Sequence, residues 1–228
     1  MIKKVIFFSI VLFFLQSCAS FWWWQKTVDI ATQDISESRE FVKIFSLWDS
    51  LTAWYWLPLE DSYPSQLQEK LRSSWYTVDV INGWVSWNTS SELKARLDWV
   101  LTDARIWDIA ILVIWWNDGL RWMSLEDLEN NIKEIIDLLW ARNMTVVLWG
   151  MQIPPNLWLR YTRDFEALYK KIADTTPWVY FIDFFLDGVA GVDSLNLPDG
   201  IHPTRAWYEI IAQNVHDFLI SNNILWSK

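Results

Sequence analysis

The chain has 228 residues and a formal net charge of −9, a length that suits one domain with a real core. An acidic chain without a basic tract speaks against nucleic acid as a partner and against electrostatic attachment to a membrane surface. One feature of the composition is out of proportion: 20 Trp stand against 6 Gly, where average usage would supply roughly 16 Gly in a chain of this size.

Lys3 and Lys4 open the chain and precede an apolar run from Val5 to Leu15, too short to span a membrane. The run ends in Leu15-Gln16-Ser17-Cys18, which resembles a bacterial lipobox with an atypical Gln. Residues 1–17 therefore read as a lipoprotein signal peptide and Cys18 as the acylated anchor. Residues 18–40 read as a flexible tether and 41–226 as the folded domain. The alternative is an ordinary signal peptide with an incidental Cys. Cys18 is the only Cys, so no intrachain disulfide can form.

Within the domain, apolar β-branched runs at 41–47, 76–81, 108–114, 145–148 and 179–184 read as buried strands. Helical patterns separate them. Residues 65–73 are weakly amphipathic, and 90–102 place Leu93, Leu97, Val100 and Leu101 on one face. Ser124 opens a helix continued by Leu128, Ile132, Ile135, Ile136 and Leu139. Two more cover 160–173 and 204–221. Strands alternating with helices predict an α/β fold with a doubly wound, five-stranded parallel sheet. Such sheets bind ligands at the carboxyl ends of their strands, and every motif below follows a predicted strand.

Many Trp stand where a backbone turn calls for Gly. With each Trp read as Gly, Trp48 to Pro58 becomes G-D-S-L-T-A-G-Y-G-L-P, and Trp115 to Gly119 becomes G-G-N-D-G. Asn156-Leu157-Trp158 becomes N-L-G, and Asn82 to Ser90 becomes N-G-G-V-S-G-N-T-S. The first tract resembles the nucleophile block of the GDSL (SGNH) hydrolases. The resemblance covers about 41–219. Residues 149–156 and 161–165 are similar to the branch that holds arylesterases, acyl-CoA thioesterases and lysophospholipases. The economical reading is that the source decodes UGA as glycine and the printed sequence decodes it as tryptophan. Trp99 fits that branch as a genuine Trp, while Trp107, Trp140, Trp178 and Trp226 stay ambiguous.

Ser50 is the candidate nucleophile. A serine hydroxyl is weak at neutral pH and needs a positioned base. The chain has two His. His216 has no motif around it and reads as a surface or boundary residue. His202 lies in a Pro/Gly-flanked segment three residues after Asp199, a spacing that lets a carboxylate hold one imidazole nitrogen while the other faces the serine. An Asp and a His at this spacing are alone a weak signal, also met in loops and metal sites. A metal site would need more ligands than the sequence offers. The resemblance implies a three-layer, flavodoxin-like fold and a Ser50, His202, Asp199 triad, with no cofactor or metal. It also implies an oxyanion hole made by the Ser50 N–H, the N–H at Trp87 (a glycine in the family pattern) and the Asn117 side chain. Asn88 departs from the Asp usual at its position.

The expected function is a lipid-anchored, extracytoplasmic bacterial serine esterase acting on small acyl esters, thioesters or lysophospholipids. Its only membrane contact would be the acyl anchor. A carbohydrate O-acetyl esterase could use the same constellation. If the Trp are genuine, the rival is a catalytically inactive, aromatic-rich binding module.

Overall fold

The computed structural model describes residues 42–47, 58–83, 85, 88–114, 116–121, 123–153, 159–197 and 203–225. Five strands form one sheet: β1 (Val42–Leu47), β2 (Val78–Asn82), β3 (Ile109–Leu112), β4 (Thr145–Trp149) and β5 (Tyr180–Ile182). The helices are α1 (Tyr63–Ser73), α2 (Ser90–Val100), α3 (Trp116–Leu120), α4 (Leu125–Trp140), α5 (Leu159–Thr175) and α6 (Arg205–Ser221). The strand order is β2-β1-β3-β4-β5, and every pairing is parallel.

The parallel sheet follows from the strand sequences. All four residues of β3, Ile-Ala-Ile-Leu, are buried, as a central strand covered on both faces requires. The covering helices form two groups, α1 against α6 and α2, α4 and α5 against one another. Each lays an apolar stripe inward. In α4 these are Leu128, Ile132, Ile135, Ile136 and Leu139, spaced three and four apart as the helix period demands. The fold class expected from the sequence is therefore observed. No described helix is long and apolar enough to cross a membrane.

Helix and turn chemistry singles out two Trp. The end of α1 is a Schellman motif: Tyr76 N–H donates to Leu71 O at 3.1 Å and Trp75 N–H to Arg72 O at 3.0 Å. This puts Trp75 at the left-handed position that glycine usually takes. Its φ is +69°, and the indole is 91% exposed. The same motif ends α4 at Asn143 and α6 at Asn223, with φ of +56° and +52°; Asn is the accepted second choice there. Trp107 has φ +72°. It is the third residue of a turn closed by Asp108 N–H to Arg105 O at 3.2 Å, the type II position that favours glycine. Among the described non-glycine residues, only these two Trp and two Asn have positive φ.

Candidate active site

The order β2-β1-β3-β4-β5 reverses direction between β1 and β3, and such a switch point opens a crevice at the carboxyl ends of the two strands. There Leu47 is in register with Leu112, and Val113 N–H continues the ladder to Leu47 O at 3.1 Å. The candidate nucleophile Ser50 follows β1 by three residues, and Asn117 follows β3 by five. Ser50 and Trp87 lie outside the described residues, as do Asp199, His202 and Cys18. Asn117 is described.

Asn117 lies in α3, a short helix in a stretch where the sequence points to a turn. Its side chain is buried, and its amide Nδ2 donates to Asn88 O at 2.9 Å. The structure thus brings Asn117 against the residue that follows position 87. Asn88 is also held from below, its Oδ1 accepting Arg96 Nε at 2.7 Å. The next residue, Thr89, caps α2 in a capping box. Its N–H and hydroxyl donate to Glu92 Oε2 at 2.8 and 2.9 Å, and these bonds hold the Glu92 carboxyl below its usual range.

Sequence reasoning missed a buried polar network beside Asn117. Asp118 accepts from Ser90 N–H at 2.9 Å and from Ser90 Oγ at 2.6 Å. Ser90 Oγ accepts in turn from Asn131 Nδ2 at 3.0 Å. Asn131 Oδ1 takes Lys94 Nζ at 2.7 Å, and Lys94 pairs with Glu134 at 2.9 Å. Burial pushes the Asp118 carboxyl above its ordinary value, with the Ser90 bonds opposing the rise. An Asp among turn-forming residues and a Ser opening a helix gave no sign that the two would meet.

The ends of the stretch that carries Asp199 and His202 are fixed. Asn196 and Pro203 form an antiparallel bridge. Thr204 donates its N–H and its hydroxyl to Leu195 O, both at 2.9 Å, and caps α6 through Trp207 N–H. The second histidine behaves as the sequence suggests. His216 sits at the boundary of α6 and α1, with Nδ1 2.8 Å from Asp217 Oδ1 and Nε2 3.0 Å from Ser74 Oγ. Among the described residues no cluster of three His, Cys, Asp or Glu side chains is grouped to hold a metal ion.

A GDSL-like lipase/acylhydrolase family matches residues 49–210, from the nucleophile block into α6. The chain belongs to this family. An arylesterase of Vibrio mimicus is 33% identical over 177 residues, 76% of this chain and 88% of that protein. The thioesterase 1/protease 1/lysophospholipase L1 of Escherichia coli K12 is 30% identical over 73% of this chain and 77% of its own length. A crystal structure of TesA superposes with a TM-score of 0.72 at 30% identity, covering 78% of this chain and 97% of TesA. The fold is that of the SGNH hydrolases, and the chain is an ester-hydrolysing serine hydrolase.

Proposed function

We propose that this SGNH hydrolase works through Ser50, His202 and Asp199 on small or medium acyl esters, thioesters or lysophospholipids. Ser50 Oγ attacks the acyl carbonyl while His202 takes the hydroxyl proton, and Asp199 holds the imidazole. His202 then protonates the departing alcohol or thiol as an acyl-enzyme forms. Water, deprotonated by His202, attacks this ester and releases the acid. The Ser50 N–H, the N–H at position 87 and the Asn117 amide stabilise the oxyanion. The carrying observation is the buried Asn117 amide at the switch point, just beyond the strand that pairs with the one leading to Ser50. Fluorophosphonate labelling followed by peptide mass spectrometry is the direct test. The expected adduct is on Ser50, and label elsewhere or none overturns the reading. A panel of p-nitrophenyl esters, acyl thioesters, lysophospholipid and acetylated xylan separates an esterase or thioesterase from a carbohydrate deacetylase.

The enzyme is proposed to be lipid-anchored through Cys18 outside the cytoplasm, on the lipobox resemblance. Cys18→Ser should release it from membranes with turnover intact. Unchanged partitioning would show that the anchor lies elsewhere.

The active chain is the one with glycine at most Trp positions. Trp75 and Trp107 support this independently of the catalytic motifs, because each stands in a left-handed glycine conformation. Trp149 and Trp207 carry no such signature; both are buried with edge-on contacts to Phe185. The rival literal reading has its own feature, a cavity of about 510 Å³ lined by Trp107, Trp140, Trp178 and Tyr180 among others. The Trp140 and Trp178 rings meet there at a centroid distance of 5.3 Å, tilted by 36°. Trp107 belongs to this cavity, and its φ favours glycine. Codon identity and peptide masses of the native protein decide: UGA with glycine masses at 48, 75, 87, 107, 115 and 116 supports recoding, and UGG throughout ends it.

A further inference from the structure

We propose that Asp118 is a positioning residue for Asn117, holding α3 against the first residue of α2. The inference rests on the reading of Asn117 as an oxyanion donor.

Three contacts carry it. Ser90 N–H reaches both carboxylate oxygens of Asp118, at 2.9 and 3.2 Å, and Ser90 Oγ donates to Oδ1 at 2.6 Å. The direction of the last bond is fixed. Ser90 Oγ accepts from Asn131 Nδ2, an amide that can only donate, and its own single proton is left for Asp118. The carboxylate therefore acts as acceptor, gripping one backbone and one side-chain donor of the same residue. Its neighbour Asn117 binds Asn88 O. Two consecutive residues of α3 thus clasp Asn88 and Ser90, on either side of the α2 cap.

The arrangement is costly as a source of stability. Asp118 is 1% exposed, and taking a carboxylate out of water offsets most of what its hydrogen bonds return. A five-residue helix containing Gly119 has little helical preference of its own. What the carboxylate supplies is direction: its bonds to Ser90 fix both the distance and the rotation of α3. Asn117 inherits that orientation, and an oxyanion donor works only when aimed at the developing charge.

The test is a kinetic double-mutant cycle, made in whichever decoded form of the chain hydrolyses p-nitrophenyl butyrate. Asp118→Asn keeps the shape but converts half of the acceptor into a donor facing Ser90. It should lower kcat by roughly 10- to 100-fold, the scale of a misplacement of about 1 Å, with KM changed less than about twofold. In an Asn117→Ala background the same change should cost less than about threefold, because the group it positions is gone. Ser90→Ala, which removes one of the three bonds, is the milder companion should Asp118→Asn fold poorly. It should show the same non-additivity. If Asn117→Ala is costly and either Asp118→Asn or Ser90→Ala keeps its full effect in that background, Asp118 is merely structural. If neither change affects kcat in the parent, positioning is likewise refuted. If Asn117→Ala is itself silent, the oxyanion reading falls and the proposal with it.

Discussion

Asn117 gives one amide N–H to the backbone carbonyl of Asn88, 2.9 Å away. An amide nitrogen carries two hydrogens, so this contact orients the group, and on the proposed mechanism the second hydrogen serves the oxyanion. Asn117→Ala should lower kcat roughly 10²- to 10³-fold, the cost of one oxyanion donor among several. Ser50→Ala and His202→Ala should each cost on the order of 10⁴- to 10⁶-fold, with the double variant little worse than either. Measured kcat values, with circular dichroism to check folding, decide. Substantial activity in Ser50→Ala would end the mechanism.

Arg96 offers a repair at Asn88, the residue that departs from the family pattern. Its Nε donates to Asn88 Oδ1, while Nη1 and Nη2 are buried and meet no hydrogen-bond partner among the described residues. Burial lowers the guanidinium pKa. Asn88→Asp turns this charge–dipole bond into an ion pair and gives the fork a second acceptor oxygen. Stability should rise by about 1 kcal/mol and Tm by about 2–4 °C in a chain of this size. A lowered Tm in a thermal melt would mean that the neighbouring acids outweigh the pair.

Much of the fold was legible because apolar runs and helical stripes report burial directly. The strand at 145–148 extends by only one residue, to Trp149. The run at 108–114 shortens to Ile109–Leu112 because Asp108 gives its carboxylate to the N–H groups of Lys43 and Arg105 and apolar residues run on past the last paired residue, Leu112. The first helix starts two residues early, at Tyr63, where Ser62 caps it and Pro64 sits in its first turn. Both of those signals were present in the sequence. The short helix α3 was not legible: Asn117-Asp118-Gly119 reads as a turn, and long-range bonds to Asn88 and Ser90 hold it instead. For the same reason, the family resemblance named Asn117 but not its buried neighbour's partner.

Substitution at Trp75 and Trp107 separates backbone strain from indole contacts. A bulky residue in the left-handed region costs roughly 1–2 kcal/mol relative to glycine. Trp75→Gly and Trp107→Gly should therefore each stabilise the literal chain by about 1 kcal/mol. Trp99, exposed in the last turn of α2 without a positive φ, is the control: Trp99→Gly should destabilise by about 0.5 kcal/mol. Chemical denaturation of the three variants reads the signs. A loss at Trp75 and Trp107 equal to that at Trp99 would contradict the conformational argument.

Asp108 should leave a mark on the pH dependence of stability. It is buried, accepting the N–H groups of Lys43 at 2.9 Å and Arg105 at 2.7 Å. Burial raises its carboxyl pKa above the ordinary 3.8, against the pull of those two donors. The native state then holds this proton more tightly than the unfolded chain does. The contribution of Asp108 to stability accordingly falls as pH rises from 3.8 through the folded value. Asp108→Asn removes that negative slope, so its unfolding free energy should climb more steeply with pH across this window than the parent's. Parallel curves from urea titrations would show that Asp108 titrates alike in both states.

Thr204 both clamps Leu195 and caps α6, so the stretch carrying Asp199 and His202 is moored to the start of the last helix. Ser50 follows the first strand. On the proposed mechanism, the reacting groups thus come from opposite ends of the domain's sequence. Docking α6 on α1 already closes a loop of comparable length, since Arg205 pairs with Asp61 and His216 meets Ser74. Hydrolytic competence then depends on that docking. It should be surrendered whenever α6 peels away from α1.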